Sequence, residues 1–172
     1  MIVVADVGPL HYLILIGEDR VLPSLFDRVL VPPAVVDEMS RPEAPEAVRR
    51  WIAAPPAWLE IKQPAKIEEI PSLGRKGSTG AGEKAVIALA RQERVSIILM
   101  DDKIGRKEAS RRGLRPIGML AVLDEAAARG FVDDLPQKLD RLERDTSFYA
   151  SQQCKRIIEG MKRRDAERKP PG

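Results

Sequence analysis

Five carboxylates stand where chemistry is conceivable: Asp6, Glu38, Glu83 and the adjacent pair Asp101-Asp102. Asp6 directly follows the apolar run Ile2 to Ala5, and the pair follows another, Ser96-Ile-Ile-Leu-Met100. Each position has an ordinary structural explanation. Asp6 suits a turn or the cap of a helix beginning near Pro9, and Asp101 or Asp102 suits the cap of the segment that follows them. Glu83 opens an otherwise apolar helix, where the helix dipole favours a carboxylate, while Glu38, beside Asp37, suits a solvent-facing position. Two adjacent aspartates nevertheless exceed what one cap needs. Like charges side by side raise each other's free energy unless a cation or a ring of donors compensates, so the doublet favours a metal.

The chain has one cysteine, Cys154, and one histidine, His11, which excludes an internal disulfide, thiolate metal sites and multi-histidine zinc chemistry. Any metal must then be held by oxygen. Such a cluster suits Mg²⁺ or Mn²⁺, which keep several waters and take a few carboxylates plus substrate phosphate oxygens. The chemistry implied is phosphodiester hydrolysis, in which one ion lowers the pKa of the attacking water and a second, if present, stabilises the leaving oxygen. His11 sits inside an apolar helix and reads as a packed or partly exposed histidine rather than a catalytic base.

The elements that must position these groups alternate between strand and helix. Ile2 to Ala5 reads as a strand, followed after Gly8-Pro9 by a helix over Leu10 to Ile16, with Pro9 suited to a first turn. Arg28 to Val31 repeats the pattern, and Pro32-Pro33 then opens a helix with Val35, Val36 and Met39 on its apolar side and Glu38 one turn in. A helix over Pro45 to Ala53 and a short edge strand over Trp58 to Lys62 follow. Gln63 to Ala81 contains Pro64, Pro71, Gly74, Gly77 and Gly80 and reads as a loop leading to a helix from about Gly82. Ser96 to Met100 is a strand, then comes a basic helix ended by Gly113, a strand at Arg115 to Ile117, and a helix over Met119 to Arg129. Pro136 to Asp145 and Phe148 to Arg164 read as helices, with a disordered Arg-Lys-Pro-Pro-Gly end. Strands apolar throughout and alternating with helices predict an α/β fold, a parallel sheet covered by helices on both faces. Ligands bind such sheets beyond the carboxyl ends of the strands, where Asp6 and the Asp101-Asp102 pair fall.

At 172 residues the chain is long enough for one domain with a core, expected over residues 1–146, with a helix and basic tail over 147–172. No apolar run is long enough to span a bilayer, and MIVVADVGPL reads as a buried strand rather than a signal peptide, which predicts a cytoplasmic protein without membrane contact. The net charge is +3, but residues 151–172 alone hold seven Lys/Arg against three Asp/Glu, leaving the remainder at −1. The basic character is thus largely a property of the tail. Lys103 to Arg115 is a local exception, with six cations against Glu108. Such a run is ordinarily a solvated face; beside the Asp pair it suits phosphate contact, with Lys103, Arg106 and Lys107 as the candidate residues.

The series VVADVGPLHYL, VLVPPAVVDEM, GAGEKAVIALA, IILMDDKIGRKEASRRGL and PIGMLAVLDEAAARG resembles the PIN-domain family, and within it the branch related to VapC toxins. The likeness covers roughly the first three-quarters of the chain. It places the family's acidic residues at Asp6, Glu38, Glu83 and Asp101 or Asp102. It implies a Mg²⁺-dependent endoribonuclease, frequent homodimers and inhibition by a small antitoxin. Asp6, Glu83, Asp101 and Asp102 are the expected metal ligands. The family often has Ser, Thr or Asn where this chain has Gly8, and Ser or Thr where it has Met100.

Other functions are weighed against that reading. A catalytically silent PIN fold that binds RNA or protein is the nearest, favoured by Gly8 and Met100 and opposed by the retention of every acidic position. A dehalogenase-like phosphatase needs a second acid where Gly8 stands, and a receiver domain puts its doublet at the first strand. Trp51, Trp58 and Phe148 suit base stacking in principle, but core or partner contacts explain them better. Gly80-Ala-Gly82 is followed by no Lys-Ser/Thr pair, so it is not a nucleotide-binding loop.

Overall fold

Successive side chains of a strand point to opposite faces, so a strand that is apolar at every position needs cover on both sides. The structure, a computed structural model, describes residues 1–66 and 80–168 and supplies that cover. Five parallel strands, β1 (Ile2–Ala5), β2 (Arg28–Val31), β3 (Leu59–Ile61), β4 (Ile97–Leu99) and β5 (Arg115–Ile117), form one sheet in the order β3-β2-β1-β4-β5. Val3, Val4 and Ala5 of β1 and Val29, Leu30 and Val31 of β2 are all inaccessible to solvent.

The helices among the described residues are α1 (Val7–Ile16), α2 (Val21–Leu25), α3 (Pro33–Met39), α4 (Glu46–Ala53), α5 (Gly80–Gln92), α6 (Lys103–Arg111), α7 (Met119–Ala128), α8 (Leu135–Asp145) and α9 (Gln152–Arg168). One group centres on α5, which lies on β1 and β4 and touches α3 and α6. The other centres on α1, surrounded by α3, α4, α7 and α8, with α9 packed on α7 and α8. Ala85 to Ala90 of α5 are buried without a break, as expected of a helix enclosed on all sides rather than laid on a surface.

From β1 the chain crosses to β2 on one side, and from β4 it crosses to β5 on the other. The order therefore reverses between β1 and β4, which leaves a crevice outside their carboxyl ends. Register fixes what lies there. Ala5 pairs with Leu99, and the Asp6 N–H donates to the Leu99 carbonyl at 2.9 Å, so the residues just beyond the two strands come side by side.

Most predicted elements stand within a few residues of their expected limits. The short α2 was not foreseen. Of the expected loop from Gln63 to Ala81, Gln63–Lys66 is irregular and Gly80 and Ala81 already belong to α5; residues 67–79 lie outside the described residues, as do 169–172 of the expected disordered end. The last helix begins at Gln152 rather than Phe148, because Thr146 Oγ1 accepts from the Phe148 N–H at 3.1 Å and Ser151 Oγ from the Cys154 N–H at 3.2 Å. Those bonds hold an irregular link and then a helix start.

The basic C-terminal helix is also more than a charged appendage. Ile158 and Met161 are buried against the core, Arg164 bonds Asp124 of α7 at 2.6 Å, and Lys162 pairs with Asp140 of α8. Part of the tail's positive charge is spent in docking it. Among the described residues no helix is long and apolar enough to cross a membrane.

Candidate active site

Asp6 begins α1 with an extended backbone, the geometry of an N-cap, yet its side chain makes no capping hydrogen bond. Asp6 therefore does not serve α1 as a side-chain cap. Its carboxylate is buried in the crevice, and its pKa is pushed up to about 7. Burial is the main cause, followed by Glu83; a hydrogen bond from the Val7 N–H works in the opposite direction, and Glu38 and Asp101 add further repulsion. Four carboxylates thus act on one another at the end of β1.

Gly82 shows how close three of them stand. A Cβ built on this buried glycine would lie 3.3 Å from Glu38 Oε2 and 3.5 Å from Asp6 Oδ1. The first turn of α5 can approach only because it lacks a side chain there, and the next residue, Glu83, then enters the same space. Glu83 Oε2 is buried with no hydrogen-bond partner. Burial raises the Glu83 pKa against a bond from its own N–H, and Asp102 and Glu38 raise it further.

The Asp pair divides its work. Asp102 Oδ1 caps α6, accepting from the Ile104 N–H at 2.9 Å and the Gly105 N–H at 2.8 Å. Asp101 instead turns toward the start of α7, where Oδ1 accepts from the Met119 N–H at 3.0 Å. Burial raises the Asp101 pKa, partly offset by that bond and by Arg106. Gly118 makes room for it, since a Cβ there would fall 2.7 Å from Asp101 Oδ1.

Asp6, Glu38, Glu83 and Asp102 line one open cavity of about 300 Å³ together with Gly8, His11, Tyr12 and Ser147. Asp101 lines the cavity next to it, with Lys103 and Arg106. Arg106 Nη1 donates to the Met100 carbonyl at 2.8 Å, which steers its guanidinium toward Asp101. Lys107 is exposed on α6 and lines neither cavity. Met100 is fully buried, with Sδ under Gly105 rather than in the acidic cavity.

His11, Tyr12 and Ser147 were not foreseen at this site. His11 is half-buried, with its pKa lowered by burial, and stacks edge-on with Tyr12 at 4.9 Å. Its spacing was a usable signal: His11 stands three residues after Gly8 and four after Val7, on the helix face that follows Asp6. Ser147 lies in the link between α8 and α9 and carries no comparable local signal. Trp51 and Trp58 pair with each other at 5.7 Å, away from the carboxylates, and Trp51 Nε1 bonds Asp19 at 2.9 Å.

The donor set fits a hard divalent cation: all carboxylate, with the proton affinities of Asp6 and Glu83 raised by burial and then by neighbouring carboxylates, and with one buried oxygen left unpartnered. As the side chains stand, no three His, Cys, Asp or Glu residues among those described gather tightly enough to hold an ion by themselves. A site completed by waters and substrate oxygens is the arrangement typical of Mg²⁺.

A doubly covered parallel sheet with carboxylates collected at its switch point defines the class, an α/β protein whose crevice lies outside the carboxyl ends of β1 and β4. The family of that class is the PIN domain: its model matches residues 2–163, and the chain belongs to it. PIN domains are typically nucleases and generally use divalent metal ions. The match extends well into α9. No curated protein and no solved structure matches the chain significantly.

Proposed function

We propose that this PIN-domain protein is a Mg²⁺- or Mn²⁺-dependent endoribonuclease and the toxin of a toxin–antitoxin pair, active as a homodimer and restrained by a small antitoxin. The observation that carries the nuclease reading is the meeting of Asp6, Glu38 and Glu83 around Gly82, with one Glu83 oxygen unpartnered. The toxin, dimer and antitoxin assignments rest on resemblance to the VapC branch.

Asp6, Glu83, Asp101 and Asp102 are the proposed metal ligands, and Glu38 completes the catalytic set. An ion held there would supply Lewis acidity toward a phosphodiester and its attacking water. Without that compensation the carboxylates repel the RNA backbone. Asp102 is held in orientation by the two N–H groups it caps, and Asp101 by the Met119 N–H. Burial, and then the nearby charges of Glu83 and Glu38, favour the protonated form of Asp6, and a bound cation would favour its ionised form. Lys103, Arg106 and Lys107 on α6 are the proposed contacts to flanking phosphates.

The test is incubation of the purified chain with single-stranded RNA and Mg²⁺ or Mn²⁺, with and without chelator, beside Asp6→Asn and Asp102→Asn. Cutting that survives chelation and both substitutions sinks the proposal. RNA binding without cutting under every metal condition selects the silent, binding-only reading instead. Growth arrest on expression, relieved by the product of a neighbouring small gene, tests the toxin role.

A further inference from the structure

The cavity beside the acidic pocket has a different character. It measures about 620 Å³, within the ~300–1,000 Å³ typical of small-ligand sites. Its lining includes Tyr12, Phe148, Tyr149 and Ile157, with Lys103 and Arg106 at the side of α6. Tyr12 and Phe148 meet edge to face at 5.3 Å, which fixes both rings. Tyr149 is 85% exposed and Ile157 43% exposed, so two large apolar side chains are left in water on one concavity.

We propose that this cavity receives one unstacked nucleobase of single-stranded RNA, adjoining the phosphate that a cation at the carboxylates would hold; the identity of that phosphate site rests on the nuclease reading above. Three observations favour a nucleotide. The two cavities share Tyr12 and Ser147 as walls, and a single sugar separates a base from its phosphate. Aromatic faces beside Lys103 and Arg106 match the pairing of stacking surface with backbone charge found in single-strand binding grooves. The apolar atoms line a hollow of nucleotide scale, whereas a stable protein partner needs roughly 800 Å² of surface on each side.

The experiment measures binding of fluorescein-labelled oligouridylate and oligoadenylate, and of the same probes with one abasic position, by fluorescence anisotropy. It uses the full chain in an Asp6→Asn background with Mg²⁺, comparing Tyr149, Tyr149→Ala and Tyr149→Trp. The exposure of Tyr149 makes its replacement compatible with folding. Removing the stacking face is expected to raise Kd about tenfold, Tyr149→Trp to restore it, and the abasic probe to lose nothing further on Tyr149→Ala. Unchanged Kd in Tyr149→Ala, or fully additive losses with the abasic probe, overturns the subsite. So does a change of sedimentation without a change of RNA affinity, which assigns the hollow to a protein. Tyr149-dependent binding alongside no metal-dependent cutting by the unsubstituted chain defeats the nuclease reading and leaves the subsite standing; absence of all RNA binding defeats both.

Discussion

Asp101 Oδ1 accepts the Met119 N–H at 3.0 Å, tying the end of β4 to the first turn of α7. Gly118 precedes Met119, and a Cβ on it would lie 2.7 Å from the same oxygen. The carboxylate and the glycine are thus one device: the bond orients Asp101 only while residue 118 has no side chain.

Gly118→Ala is expected to displace Asp101, lowering metal-dependent cleavage by ~10–100-fold, the usual effect of disturbing residues that orient a metal site. Stability should fall by about 1–2 kcal/mol in urea unfolding. Full activity in this variant would show that the orientation of Asp101 does not matter to the reaction.

Asp6→Asn is expected to abolish most cleavage while stabilising the metal-free fold at neutral pH. The sign follows from its pKa, 3.8 as the ordinary value and about 7 in the folded chain. Between these values the folded state binds more protons than the unfolded one, so the stability contributed by protonated Asp6 is complete below about 4 and is lost as pH rises through about 7. The substitution removes that loss. It should stabilise by on the order of 4 kcal/mol at pH near 8 and by little near pH 4, read from denaturant curves in chelator.

Mg²⁺ is expected to raise Tm at pH near 8, by RT ln(1 + [Mg²⁺]/Kd), or about 2.7 kcal/mol at a hundredfold excess over Kd. The increase should shrink as the solution is acidified and Asp6 and Glu83 hold protons, since both have raised pKa values. A calorimetric scan in which Asp6→Asn gains as much from Mg²⁺ as the unsubstituted chain would remove Asp6 from the ligand set.

Gly82→Ala places a methyl 3.3 Å from Glu38 Oε2 and 3.5 Å from Asp6 Oδ1, distances at which Glu38 must give way. A weakening of Mg²⁺ affinity by about tenfold is expected, with the fold retained, as measured by isothermal titration and circular dichroism.

Met161→Ala should cost about 2–5 kcal/mol, because its side chain is fully buried, whereas Arg164→Ala should cost about 1 kcal/mol or less, because the pair with Asp124 is partly open to water. Denaturant midpoints of the two variants check whether α9 is held by its apolar face.

The alternation of strand and helix, and the position of Asp6 and Asp101-Asp102 at strand ends, are written in local runs of apolar side chains and the turn residues that end them. Strand order was not legible there. Only pairing across the chain set β1 beside β4, and with it the switch point that makes neighbours of Asp6 and Asp101. The sequence likewise left open which member of the Asp pair does what, since both suit a cap; the placement of α6 and α7 made Asp102 the cap and turned Asp101 to Met119. His11, Tyr12 and Ser147 joined the site for the same reason. Periodicity reports which side of an element is buried, but the groups facing it are chosen by contacts between residues far apart in the chain.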